Sequence, residues 1–194
     1  MKKQLEIKPK SVEEFKKIIE EEGNFECWKS FGLVCFVYRW RQYGHWCGYV
    51  GVSKKHPLYG VDYDEPCEIL ENILKKRMRK KRKDFKRMSF GLLSAILFGV
   101  KIKPTPENVF EVHGGITFSG KHPIWKIDDR WFFGFDTAHH GDLVYDANLT
   151  LCSSFLFEIE KRFKRDLKLG YTYKTKEYVI EETKRLAKQI AQIK

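Results

Sequence analysis

His113, Gly114, Gly115, Thr117 and Ser119 lie close together in the chain, and a second polar group follows at Asp136, His139, His140 and Asp142. Asp136, His139 and Asp142 are spaced three residues apart, so one helical turn would bring them together. With His113 they form a nitrogen and oxygen set suited to zinc, manganese or a similar ion. Without a metal, a histidine held by an aspartate can act as general base toward water. His113, Asp136 and His139 are therefore the candidate catalytic groups, with general-base or metal-assisted hydrolysis as the chemistry.

The same residues permit a second chemistry, recognition of a phosphate-bearing small molecule or nucleotide. Gly114, Gly115 and Gly141 allow close approach to backbone amides, and His113, Thr117 and Ser119 can donate hydrogen bonds to phosphate oxygens. Asp142 joins this ligand-binding set, and Tyr59, Trp131 or Trp46 can stack a base. Neither G-x-G-x-x-G nor G-x-x-x-x-G-K-[ST] occurs, however. Paired glycines also serve bulges, and aspartates beside glycine often shape turns. His140 and His122 read as surface residues. The run His56-Pro57-Leu58-Tyr59-Gly60, followed by Asp62 and Asp64, makes either a lid over the site or a surface turn with Leu58 and Tyr59 tucked in.

The elements around these groups follow from apolar periodicity. Along residues 110–119 Phe110, Val112, Ile116 and Phe118 alternate with Glu111, His113, Thr117 and Ser119, which predicts a strand with one aromatic face and one polar face. Residues 131–135 predict another strand, which feeds Asp136 and its neighbours into a glycine-containing loop.

Upstream, Ser11 caps a first helix and Glu14 completes the capping box, with Val12, Phe15, Ile18 and Ile19 as the apolar stripe and Gly23-Asn24 as the stop. Residues 26–41 and 46–52 are aromatic and β-branched and predict a hairpin of two strands turning at Gln42-Tyr43-Gly44. Asp64 and Pro66 open a second helix with Ile69, Leu70, Ile73, Leu74 and Met78 on one side, running to about Arg87. Ser89 restarts a short buried helix, and residues 101–107 read as a linker. Residues 151–167 carry both strand and helix signals. Thr175 caps a last helix with Val179, Thr183, Leu186, Ala187 and Ile190 down one face.

The formal charge of +11 is concentrated in one place. Residues 75–87 hold ten bases and one acid, a net +9, so the remainder carries only +2. Lys75, Lys76, Arg77, Arg79, Lys80, Lys81, Arg82 and Lys83 form a candidate polyanion-binding helix for DNA or RNA. Phe85 is the only aromatic among its bases, which argues against base recognition, and its basic half has almost no apolar face for insertion into a membrane surface. The longest apolar run, residues 90–100, is about half a membrane span. No amino-terminal apolar stretch follows Met1-Lys2-Lys3, so a secretory signal is not expected. Five cysteines without C-x-x-C spacing point to reduced thiols in a cytosol, with Cys35 a small core residue.

Four segments together resemble a family of small bacteriophage and bacterial proteins. They are residues 44–52 (G-x-x-C-G-Y-V-G-V), 56–60 (H-P-L-Y-G), 113–119 (H-G-G-x-T-x-S) and 135–142 (F-D-x-A-H-x-G-D). The carboxyl-terminal helix near Tyr178 is also similar. Residues 68–100 look like an enlargement of a shorter connection in that family. The resemblance implies a setting in phage–host conflict and the host cytoplasm for a phage-encoded member, but no activity.

The expectation is one α+β domain over residues 1–194. A mostly antiparallel sheet is packed by the amino- and carboxyl-terminal helices, and residues 68–100 form a helical insertion bearing the basic helix. Its pocket, built from the 113–119 strand and the 136–142 loop, is expected to bind and sequester a phosphate-bearing molecule or nucleotide. The alternatives are a metal- or His/Asp-dependent hydrolase acting on such a ligand, or a nucleic-acid-binding protein using the basic helix. Residue types leave turnover, cofactor and oligomeric state open.

Overall fold

In water the aromatic and β-branched stretches must pair their backbone groups and bury one face, and here they do so in a single antiparallel sheet. The computed structural model describes residues 5–40, 44–79, 87–121, 129–144 and 156–194. The short strand β1 (Glu6–Ile7) precedes helix α1 (Val12–Glu22), followed by strands β2 (Phe25–Ser30), β3 (Leu33–Arg39) and β4 (Trp46–Val52). A 3-10 turn at Glu68–Leu70 leads into α2 (Glu71–Arg79), and α3 (Phe90–Phe98) and the one-turn α4 (Pro106–Val109) come next. Strands β5 (Phe118–Gly120) and β6 (Trp131–Asp136) complete the main sheet. Helix α5 (Leu156–Lys168), strand β7 (Tyr173–Lys174) and helix α6 (Lys176–Ile190) close the chain. The strand order is β2-β3-β4-β6-β5, antiparallel throughout, with β1 and β7 paired apart from it. This is the expected α+β architecture.

One sheet face meets α6. Cys35, Val37, Val50, Val52, Phe133 and Phe135 are buried there with Val179, Leu186, Ala187 and Ile190. The absence of a side chain at Gly48 lets α6 approach, because a Cβ at that position would lie 2.3 Å from Thr183 Oγ1. The other face carries a separate aromatic cluster of Phe36, Tyr49 and Phe132, with Phe36 and Tyr49 stacked at 4.7 Å. Across the fold's other end, Phe15 of α1 packs edge-on against Tyr173 of β7 at 4.9 Å. This contact ties the amino terminus to the strand that precedes α6.

Three of the expected caps form. Ser11, Ser89 and Thr175 each accept the backbone N–H three residues on, at Glu14, Leu92 and Tyr178. Glu14 departs from the expected box: its carboxylate accepts the N–H of Lys10, one residue before the cap.

Five expectations are corrected. Residues 26–41 do not form one strand. Phe31 (φ 51°) and Gly32 (φ 80°) make a tight turn, and β2 and β3 form their own hairpin. An apolar residue at the turn hid it. The 110–119 strand is reduced to β5, because Gly114 (φ 67°) and Gly115 (φ 92°) turn the chain, with the Gly115 N–H donating to Val112 O at 3.0 Å. The second helix begins at Glu68 rather than at Asp64-Pro66, and its Ile69 and Met78 are exposed. The 101–107 linker contains a helix start, with Thr105 capping α4 and Pro106 at its first turn. The short helix after Ser89 forms but is not buried, since Phe90, Leu97 and Phe98 are exposed. The stretch that carried both strand and helix signals is helical over Leu156–Lys168. Expectations for Gln42 and Tyr43, Lys80 to Lys83, Phe85, His122, Cys152 and residues 151–155 lie outside the described residues. Among the described residues no helix is long and apolar enough to cross a membrane.

Candidate functional site

Strand β6 ends at Asp136, and the chain then turns back toward β7. The turn is fixed by local bonds: Ala138 N–H donates to Asp136 Oδ1 at 2.9 Å, and His139 N–H donates to Asp142 Oδ2 at 3.0 Å. Asp142 forms a parallel bridge with Thr172, and Leu143 N–H donates to Thr172 O at 2.9 Å. The His113 loop is held from α6. The buried Glu182 accepts the His113 N–H at 3.1 Å and is itself gripped by the Arg87 guanidinium, with Nε 2.9 Å from both carboxylate oxygens.

These supports bring His113, His139 and Asp142 together, with one ligand-type atom from each lying within 4.8 Å of the others. His113 Nε2 is 2.7 Å from Asp142 Oδ2, and its Nδ1 is 3.0 Å from the Tyr178 hydroxyl. His139 Nδ1 stands 3.8 Å from Asp142 Oδ2 and 3.7 Å from Asp136 Oδ1, beyond hydrogen-bond reach of either. Asp142 Oδ1 faces the buried Lys174 ammonium at 3.5 Å. Lys174 also donates to Glu6 Oε2 at 2.9 Å and to Thr172 Oγ1 at 2.5 Å.

The electrostatics follow from this packing. Burial alone would raise the Asp142 carboxyl, but the hydrogen bonds and charge of the two histidines outweigh it and hold the group well below the usual carboxylate range. His139 is raised, chiefly by Asp142, against the burial that would lower it. Burial, foremost, and the nearby Glu182 carboxylate push the Tyr178 phenol up. A cavity of about 280 Å³ opens on these groups, lined by Glu6, His113, Gly114, His139, His140, Gly141, Asp142, Gly170, Thr172 and Lys174. Its walls carry two carboxylates and one ammonium beside three imidazoles.

Of the expected site residues, His113, Gly114, His139, Gly141 and Asp142 converge on the cavity and the others stand apart. Asp136 is beside His139 but outside the cluster, and it accepts the Thr117 hydroxyl at 2.9 Å. Ser119 bonds Asp62 and the Tyr63 N–H, Trp131 Nε1–H donates to Val61 O, and Tyr59 packs near Trp131 at 6.2 Å. These contacts staple the loop after β4. The His56 segment is accordingly a surface turn with Leu58 fully buried. Trp46 is fully buried and donates to Glu22 and Tyr173, so it stacks nothing from solvent. Gly115 is buried against Ser89. Gly114 makes room for a side chain of this protein, since a Cβ there would lie 2.1 Å from the His139 ring. His140 is exposed, as expected, with Nδ1 2.8 Å from the Tyr171 hydroxyl.

Glu6, Lys174, Tyr178 and Glu182 were not foreseen. Glu6 and Lys174 sit on strands of two residues, too short to show a period. Glu182 left a readable trace, a carboxylate on the apolar face of α6 one turn after Tyr178.

The basic run is not uniform. Arg77 is buried, with Nη1 2.6 Å from Glu111 Oε1 and Nη2 donating to Gln189 Oε1 at 2.5 Å. It is a structural clamp, which corrects its place in the polyanion-binding set. Lys75 pairs with Glu71 at 2.8 Å, and Lys75, Lys76 and Arg79 are exposed. Among the described cysteines, burial pushes the Cys35 and Cys47 thiols up to about 12, so neither is a thiolate nucleophile near neutral pH. No family model, curated protein or solved structure matches this chain.

Proposed function

We propose that His113, His139 and Asp142 bind a divalent cation of the zinc class and that this centre hydrolyses a phosphate-bearing small molecule. The observation that carries the reading is the convergence of two imidazoles and one carboxylate within 4.8 Å at the wall of a cavity. Three protein ligands with an open side are the usual arrangement of a hydrolytic zinc. A cation so held lowers the pKa of its bound water toward neutrality and supplies the nucleophile.

The outer contacts suit this role. Without metal, the Tyr178 hydroxyl can donate to His113 Nδ1 while Nε2–H donates to Asp142. A cation at Nε2 would require the ring proton to move to Nδ1, which would then donate to Tyr178. Lys174 faces Asp142 Oδ1, leaving Oδ2 as the carboxylate's ligand atom. Once a dication is present, the same cavity accepts an anionic group, with the backbone beside Gly114 and Gly141 accessible to it. The aromatic residues expected to stack a base do not line this cavity, which favours hydrolysis over nucleotide sequestration.

The test is calorimetric titration of chelator-treated protein with zinc and manganese, followed by a phosphoester panel with and without metal. The expected result is one site, proton release on binding, and metal-dependent phosphate release. His139→Ala should abolish binding, and Tyr178→Phe should weaken it about 10- to 100-fold. A wild type that binds neither metal would overturn the reading. Binding without turnover would leave a metal site and remove the hydrolase.

A further inference from the structure

Helix α3 is apolar on every side. Such a helix ordinarily sits inside a protein. Here Leu92 and Ala95 are buried, while Phe90 is 83% exposed and Phe98 79% exposed. Leu97 and Val100 are exposed as well. Phe90, Leu97 and Phe98 are seven and eight residues apart and share one side of the helix. Between α2 and α3 runs an open groove of about 540 Å³ with Leu74, Met78, Ala95, Val100, Ile102 and Pro104 as its apolar walls. Lys75, Arg79 and Lys101 stand at the same groove, and among the described residues Arg79 and Lys101 have no ion pair.

We infer that α3 and the adjoining groove dock the protein on an anionic phospholipid surface, with Phe90, Leu97 and Phe98 entering the headgroup boundary and Arg79 and Lys101, at the groove beside α3, meeting lipid phosphates. The exposed bases of α2 bring no apolar surface of their own, and α3, across the groove from them, supplies it. Stable attachment at a membrane surface takes two signals, buried apolar area and cationic charge, and both are present here. The charge complementarity excludes a second copy as the simplest occupant, because it would bring the same cations face to face. The aromatic side chains project from the surface, and a fluid bilayer accepts such projections without a preformed matching hollow. The exposed aromatic patch also exceeds what phosphate contact with nucleic acid requires.

Co-sedimentation with vesicles of phosphatidylcholine, with and without phosphatidylglycerol, tests this. The wild type should bind the anionic vesicles about ten-fold more tightly than the neutral ones and release with salt. Combined Phe90→Ser, Leu97→Ser and Phe98→Ser should lose about ten-fold in binding, and Arg79→Glu with Lys101→Glu should do the same. All five positions are exposed, and an unchanged Tm verifies the fold of each variant. Three results overturn the inference: no binding to anionic vesicles, as an acidic protein partner would give; unchanged binding by the triple serine variant; or a wild-type dimer that the serine variant converts to monomer.

Discussion

Around Asp142 each charge is enclosed and answered. Its two oxygens serve His113, the His139 N–H and Lys174, and Lys174 is in turn held by Glu6 and Thr172. Along the solvent side of α2 the opposite holds: Lys75, Lys76 and Arg79 stand in water, with only a pair one turn away at Glu71. The difference teaches that charge number says little about role. The run that dominates the formal charge contributes two structural clamps, Arg77 on Glu111 and Arg87 on Glu182, whereas the nearly neutral remainder holds the polar cluster. Buried charges need fixed partners, so geometry builds up around them; exposed charges need none and remain free to meet a partner from outside.

The largest test of this contrast is Asp142→Ala. It leaves His113 and Lys174 without their carboxylate and should cost about 3–5 kcal/mol in denaturant unfolding, whereas Lys76→Ala should stay within about 0.5 kcal/mol. Equal costs would break the comparison. Within the basic run itself, Arg77→Ala removes the link to Glu111 and Gln189 and should cost about 2–3 kcal/mol by the same measurement. A value near that of Lys76→Ala would return Arg77 to the surface set.

A third, smaller test separates backbone strain from crowding. Gly114 and Gly141 both have positive φ, but a Cβ meets the His139 ring only at Gly114 and nothing within 4 Å at Gly141. Each alanine variant should lose about 1–3 kcal/mol through strain. Only Gly114→Ala should also weaken zinc affinity, by about ten-fold, because it displaces a ligand. Equal affinities in the two variants would detach His139 from the metal centre.

The smallest effect is a pair of opposed pH slopes in metal-free protein. His139 is raised above its ordinary 6.5, so its contribution is present below that value and lost as pH rises through the folded pKa. His56 is lowered by burial, which outweighs its bond to Ile190, so its contribution is present above 6.5 and lost as pH falls. Its geometry agrees: Nδ1 accepts the Leu58 N–H and has no room for a proton. The stability difference between wild type and His139→Gln should therefore be greater at acid pH, and that for His56→Gln greater at alkaline pH. Thermal melts across the histidine range measure both, and slopes of the same sign would contradict these assignments.

Much of the scaffold was legible from sequence. Helices α1 and α6, their Ser11 and Thr175 caps, and strands β4 and β6 follow from short-range apolar periods and local hydrogen bonds. The misread elements failed where a local signal was hidden or outweighed. Phe31 occupied a turn position usually given to glycine or asparagine, and the Gly114-Gly115 turn interrupted an alternation that otherwise read as a strand. The three-residue spacing of Asp136, His139 and Asp142 pointed to the loop that carries two of the three clustered groups, but not through a helical turn, since no helix forms there and Asp136 falls outside the cluster.

By itself, the sequence determined which segments become helices and strands and that polar groups gather at the end of β6, because those choices depend on neighbours a few residues away. Only the tertiary structure decided that His113 meets Asp142 and Tyr178, that Lys174 stands behind the carboxylate, and that Arg77 leaves the basic run for Glu111. Those meetings join residues far apart in the chain, and strand order and helix docking bring them together. The cost of burying an unpaired polar group then selects the partners.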